Sequence, residues 1–158
     1  MAFSKITLRK KWWQGNTYKI FDEANCLLAY SDQPSLLSGN LHIYSPQGHL
    51  LLELKKEWMS FGAYELIKNQ KSVGLITRGW SPRKYFLELS ATGIYVLVQK
   101  GWGKRIEIFN KEKSNSIGLI SASSVSFNEV GVVAQDIDPL FLAACVIVIN
   151  AIRRSSSS

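Results

Sequence analysis

The stretch from Asp138 to Ile152 constrains the fold more than any other part of the chain. It is almost wholly apolar, whereas the rest of the sequence is patterned like β-strands. A helix that is hydrophobic on every face must be surrounded by protein or by lipid. We therefore expect this segment to be either a helix buried in the core of a β protein or a short membrane anchor.

Both ends of this helix are marked in the sequence. Asp138 is a good N-cap and Pro139 suits the first helical position, while Arg153 and Arg154 stand where cations favour a helix C-terminus. Residues 139–152 would span about 21 Å, and a bilayer core needs roughly 20 residues, so the length favours a buried helix. We predict a single domain at 1–152 with its central helix at about 139–152, followed by a polar tail at 153–158.

A soft repeat organises the body of the chain. Short segments that alternate polar with apolar residues end at positions 21, 44, 67, 89, 109 and 133, at intervals of 20 to 24 residues. A polar turn and a second apolar run follow each of the first five, which predicts five hairpins. With a first strand at 6–8 and the unpartnered segment at 130–133, the count is about twelve strands.

So many strands in 158 residues must close into a barrel or stack as two sheets to protect their edges. A barrel of about twelve strands is too wide for its own side chains to fill, since about eight already leave little space. The apolar helix would fill the interior. We therefore predict a mostly β protein, a closed antiparallel barrel of about twelve strands built from hairpin repeats that encloses the hydrophobic C-terminal α-helix.

Four segments together carry a family resemblance, and they are residues 18–23 (YKIFDE), 41–48 (LHIYSPQG), 59–62 (MSFG) and 142–152 (LAACVIVINAI). In these the chain resembles the LURP-one-related proteins, including their bacterial relatives, which are similar to the tubby C-terminal domain and to phospholipid scramblases. The resemblance implies a closed twelve-stranded barrel around a central C-terminal helix. Asn150 stands where such relatives often have an acid.

The resemblance also suggests lipid. Tubby proteins bind phosphoinositides through a basic pocket, while the Cys-rich palmitoylated segment and calcium-binding stretch of scramblase-like proteins have no counterpart here. The hydrophobic content of 46% is typical of a globular protein, and the net charge of +7 either favours anionic partners or serves only solvation and solubility. Residues 1–9 contain no signal-like apolar run, so we expect a cytoplasmic protein, peripheral to the membrane if it binds lipid. Cys26 and Cys145 are expected to be reduced and unpaired.

Tryptophans recur beside cations. Trp58, Trp80 and Trp102 are 22 residues apart, each just beyond a returning strand. Indoles flanked by Lys and Arg suit a lipid headgroup layer or stacked single-stranded nucleic acid, and the alternative is that they only close the end of the barrel. The candidate anionic-lipid surface comprises Lys10, Lys11, Trp12, Trp13, Lys55, Lys56, Trp58, Arg78, Trp80, Arg83, Lys84, Trp102, Lys104 and Arg105.

Signals for catalysis or metal binding are weak. The chain has no nucleophile elbow, Walker loop or dinucleotide fingerprint, and His42 and His49 have no ligand residues at metal-binding spacing. We expect a non-enzymatic binding module without cofactor or metal, whose partner is an anionic membrane surface or a phospholipid headgroup. One alternative is a membrane-inserted, scramblase-like protein anchored by its C-terminal helix, and another is a nucleic-acid-binding protein.

Overall fold

The computed structural model describes residues 3–11, 16–35, 37–59, 62–81, 83–112, 115–123 and 127–156. They form twelve β-strands and one α-helix. The elements are β1 (Phe3–Arg9), β2 (Lys19–Phe21), β3 (Leu27–Asp32), β4 (Leu41–Tyr44), β5 (Leu50–Glu57), β6 (Ala63–Lys68), β7 (Lys71–Arg78), β8 (Lys84–Leu89), β9 (Gly93–Lys100), β10 (Arg105–Asn110), β11 (Ser116–Ala122), β12 (Glu129–Gln135) and α1 (Pro139–Ser156).

The strands close into one antiparallel barrel. Each strand pairs with its neighbours in the chain, and the last pairs with the first, in a register that runs from Phe3 opposite Gln135 to Arg9 opposite Glu129. The expected barrel of about twelve strands is therefore confirmed. Segment 130–133, which had no partner in the repeat, belongs to β12 and pairs with both β11 and β1. This pairing also explains why β1 is longer than the predicted 6–8.

Side chains alternate between the barrel interior and its outer wall. In β5, for example, Leu52 and Leu54 are buried while Glu53 between them is half-buried and Lys55 is exposed. The tightest hairpin, β6–β7, turns on Asn69 and Gln70, whose φ angles are 52° and 65°. Positive φ at both central residues is the geometry of a type I′ turn, which matches the twist of paired strands.

The helix occupies the barrel interior. Every side chain from Leu142 to Ile149 is at most 1% exposed, and eight successive residues cover more than two turns, so all faces of the helix are covered. The inward strand residues and these helix residues form one core. No helix within the described part of the chain combines the length and the hydropathy needed to cross a membrane.

The start of the helix follows the sequence prediction, whereas its end does not. It begins at Pro139, and Asp138 Oδ1 accepts a hydrogen bond from the Leu140 amide at 2.8 Å. It continues to Ser156, four residues past the predicted end at 152, so most of the expected polar tail is helical. Arg153 stabilises this last turn by donating to Gln99 Oε1 at 2.7 Å and to the Gly103 carbonyl at 3.0 Å.

Candidate functional site

Antiparallel order places alternate connectors at opposite ends of the barrel. Those that follow β1, β3, β5, β7, β9 and β11 lie at one end, and those that follow the even-numbered strands lie at the other. Because twelve is even, α1 starts at the second end and its C-terminal turn reaches the first. Hydrogen bonds from Arg153 to the β9–β10 region fix that turn at the first end.

Charge is divided between the two ends. Each end comprises its connectors, the two strand residues next to each connector and the nearby turn of α1. Among described residues, the first end holds thirteen of the chain's 19 Lys and Arg but only three of its 12 acids, Asp32, Glu57 and Glu129. The second holds six acids and three Lys. We call the first the basic end and the second the acidic end.

The basic end also carries the most exposed apolar side chains. Leu37, Met59, Trp80 and Trp102 are at least 90% exposed, and all four lie in its connectors. Trp58 is next to Met59 and is 66% exposed. Because folded proteins rarely leave several large apolar side chains in water at one place, such a cluster indicates an interaction surface.

The structure brings most of the predicted surface together. Trp58, Trp80 and Trp102 lie on three successive connectors of the basic end, so they form one arc of its rim. Trp12 and Trp13 lie outside the described residues. The cations differ in exposure: Lys11, Lys55, Arg83, Lys84, Lys104 and Arg105 are exposed, whereas Lys10, Lys56 and Arg78 are half-buried.

The half-buried cations have specific neighbours. The Lys56 ammonium lies 4.6 Å from the centre of the Trp58 ring, a cation–π contact that holds this indole beside a positive charge. Lys10 Nζ donates to Asn128 Oδ1 at 3.1 Å. Burial lowers the pKa of Lys10 and the neighbouring Arg154 charge lowers it further, so positive charge is crowded where the helix emerges.

A polar layer lies beneath the basic end. Asn150 donates to Asn16 Oδ1 at 2.8 Å, and the Asn16 carbonyl accepts a hydrogen bond from Ser31 Oγ at 2.7 Å. Tyr18 OH donates to the Phe127 carbonyl at 2.8 Å, and burial raises the pKa of Tyr18. This layer satisfies the polar groups that lie between the apolar core and the rim.

Sequence reasoning missed four residues of this end. Leu37 and Met59 are apolar, and nothing in the strand pattern distinguishes them from core residues. Arg153 and Arg154 were interpreted only as helix-terminal cations. With an even number of antiparallel strands, a helix that returns through the barrel ends beside the connectors that contain the tryptophans. The strand count was therefore the signal that could have placed Arg153 and Arg154 at this end.

Among the described residues, no group of three or more His, Cys, Asp and Glu side chains could hold a metal ion. His42 Nδ1 is 2.9 Å from Tyr44 OH on the same strand, and His49 is exposed at the acidic end. The absence of enzymatic activity and of a cofactor stays a prediction.

Comparison with known proteins supports the fold and goes no further. No family model matches the chain, and no curated protein matches it. The X-ray structure of the Arabidopsis thaliana protein AT5G01750 is similar, with a TM-score of 0.74 and 12% identity, over 96% of this chain and 92% of that one. At this identity the likeness extends to the barrel and its helix.

Proposed function

We propose that the protein is a non-enzymatic binding module that attaches to anionic phospholipid membranes through its basic end. The observation that carries this proposal is that the cations and the fully exposed apolar side chains share one end of the barrel. A membrane interface is the environment that accommodates both, since phosphates attract Lys and Arg while indole rings enter the headgroup region.

Two forces would act together in this attachment. Each Lys or Arg near an anionic bilayer contributes about 1 kcal/mol, and the attraction decays within about 8 Å at physiological salt. Burying the exposed indoles adds a salt-independent contribution. Binding should therefore weaken with salt without vanishing.

Peripheral attachment is favoured over insertion of the C-terminal helix. To enter a bilayer, α1 would have to leave the barrel and expose the inward side chains of all twelve strands, because residues 142–149 are buried on every face. The wide lumen would then be empty. Attachment through the rim needs no such rearrangement.

We further propose that the chain is a bacterial-type member of the LURP-one-related group, which is similar to tubby C-terminal domains and phospholipid scramblases. The closed twelve-stranded barrel with a buried C-terminal helix supports this identity, together with the motifs at 18–23, 41–48, 59–62 and 142–152. A family that contains lipid-associated members adds weight to the membrane proposal.

The test is co-sedimentation with vesicles of pure phosphatidylcholine and with vesicles that also contain phosphatidylserine, over a range of salt concentrations. The wild-type protein should bind the anionic vesicles and lose affinity as salt rises. Replacing Lys104 and Arg105 by Glu should reduce partitioning at least roughly thirty-fold, because about 2 kcal/mol of attraction is lost and the two carboxylates are repelled by the lipid phosphates. The melting temperature should change little, because exposed charges contribute little to stability.

The acidic end provides a matched control. Lys68→Glu with Lys71→Glu changes net charge by the same four units, from +7 to +3, but at the far end of the barrel. This variant should bind anionic vesicles far better than the Lys104/Arg105 variant. Equal loss in both would show that total charge alone decides binding, and equal partitioning onto both kinds of vesicle would refute the proposal. Tighter binding to single-stranded oligonucleotides than to anionic vesicles would favour nucleic acid instead.

A further inference from the structure

The acidic end contains an apolar pocket that the membrane proposal does not use. It has a volume of about 240 Å³ and opens between the first turn of α1 and strands β2, β3 and β5. Leu28, Leu51 and Leu140 contribute to its wall, and Asp138 is the one charged residue among the described residues that line it. Leu28 is 38% exposed, and Leu27 and Leu50, which are next in the chain to the lining residues Leu28 and Leu51, are 39% and 51% exposed.

The size of this pocket favours a side chain as its occupant. Pockets that bind small molecules usually measure about 300–1,000 Å³, and this one is smaller. A single large apolar side chain fits such a volume, and aromatic side chains supply the largest contact area. Asp138 lines the pocket, and Asp22, Glu23 and Asp136 belong to connectors at the same end of the barrel. This negative charge would favour a side chain that arrives with cations.

The chain itself displays such side chains. At its basic end, Trp80 lies between Arg78 and Arg83, and Trp102 lies between Lys100 and Lys104. Both indoles are fully or almost fully exposed. They cannot reach the pocket of their own molecule, because the pocket is at the opposite end of the barrel.

We propose that the acidic end binds the basic end of a second copy of the chain, with Trp80 or Trp102 inserted in the pocket. This contact joins two different surfaces, so it is heterologous and propagates head to tail instead of closing as a two-fold dimer. It is independent of the proposed membrane function, although lipid and a second copy would compete for the basic end.

The test is sedimentation velocity of the full chain without lipid, at a series of protein concentrations. At about 50 mM salt the weight-average mass should rise above 17.8 kDa with concentration, and at about 500 mM it should fall towards the monomer, because the charges are then screened. A strictly monomeric protein under both conditions at the highest attainable concentration would overturn the proposal.

Two variants that each destroy one end give a sharper result. Leu28→Glu removes the acidic-end pocket, and the double variant Trp80→Ala, Trp102→Ala removes the inserted side chains. Each should be monomeric alone, and a mixture should form a 1:1 complex with twice the monomer mass. If either variant alone still associates to the wild-type extent, the contact is not head to tail and the proposal is wrong.

Controls separate association from folding. Val133→Glu places the same charge on the wall of β12, where the side chain is 37% exposed compared with 38% for Leu28, and it should associate like the wild type. Glu23→Lys reverses an exposed charge in the β2–β3 turn without touching the core, and it should weaken association at least several-fold. The Glu23→Lys and Leu28→Glu variants are also measured separately. If both are folded and both associate as the wild type does, the proposal is refuted.

Discussion

Cys145 lies within the apolar core, whereas Cys26 is exposed, and both thiols are free. Burial raises the pKa of Cys145 from 9.0 to about 12, because an apolar interior disfavours the thiolate. When the pKa of a group is higher in the folded state than in the unfolded state, its contribution to stability is complete at pH values below the unfolded-state pKa. The contribution is lost as the pH rises from the unfolded-state pKa towards the folded-state pKa. For Cys145 the loss begins near pH 9.

We expect Cys145→Ala to remove this pH dependence. Between pH 7 and pH 10, the free energy of unfolding of the wild type should fall by about 1.4 kcal/mol relative to the variant, since one proton is lost on unfolding. Urea unfolding at both pH values measures this difference. Cys26→Ala is the matched control and should follow the wild type. If the difference in free energy of unfolding between the wild type and Cys145→Ala is the same at pH 7 and pH 10, the thiol of Cys145 is not buried as described.

The β6–β7 turn offers a stabilising substitution. Gln70 has a φ of 65°, which costs a side-chain-bearing residue about 1–2 kcal/mol, and Gly removes that cost at some expense in unfolded-state entropy. Gln70→Gly should therefore raise the free energy of unfolding by about 0.5 kcal/mol. Asn69→Gly is the comparison, and it should gain less because Asn tolerates positive φ. Chemical unfolding of the three proteins decides this, and a loss of stability in Gln70→Gly would argue against a positive φ at this position.

The buried helix is expected to support the barrel, because its side chains fill the barrel interior. Val146 is fully buried and faces packed apolar side chains. Val146→Asp would leave an unpaired charge in this interior, which costs several kcal/mol, so no soluble folded protein should be recovered. Val146→Ala should fold with a loss of about 1–3 kcal/mol. Circular dichroism and thermal melting of the soluble fractions distinguish these outcomes.

Removing the helix completes this prediction. A chain that ends at Asp136 should aggregate, because the lumen of a twelve-stranded barrel would lose the residues that fill it. A soluble, monomeric and cooperatively unfolding truncated protein would show that the helix does not support the barrel.

The elements differ in how well the sequence specified them. Alternation located the strands, because one face of each must be apolar and the other wet. The helix end was missed, since Arg153 is held by Gln99 and Gly103, which are about 50 residues away in sequence. The placement of Trp58, Trp80 and Trp102 at one end follows from their 22-residue interval, because equivalent positions of a hairpin repeat lie at the same end of a barrel. The exposure of Leu37 and Met59 depends on which connectors protrude, and no local pattern encodes that.

The exposed thiol of Cys26 can report how the molecule is oriented on a membrane. Cys26 is exposed in the β2–β3 connector at the acidic end, opposite the tryptophans of the basic end. An eight-residue strand spans about 26 Å, so a dye on Cys26 should stay well outside the bilayer when the basic end is bound.

Quenching by brominated lipids tests this orientation. Tryptophan fluorescence of the bound protein should be quenched, whereas fluorescence of the dye on Cys26 should be unaffected. The same dye on a Cys26→Ala, Ser81→Cys variant, with its label beside Trp80 in the β7–β8 connector, is the positive control. Quenching at Cys26 without quenching of the tryptophans would mean that the protein binds through the opposite end.

The pairing of β1 with β12, which closes the barrel, determines when this protein can fold. Phe3 pairs with Gln135, 132 residues later (135 − 3), so the barrel cannot close until almost all of the chain has left the ribosome. Until then, the first eleven strands could pair only as an open sheet, which would have two unpaired edges and an uncovered apolar face. Closure of the barrel is therefore a late step, and such long-range pairing makes folding slow. A nascent chain stalled before Pro139 would present the kind of surface that chaperones bind.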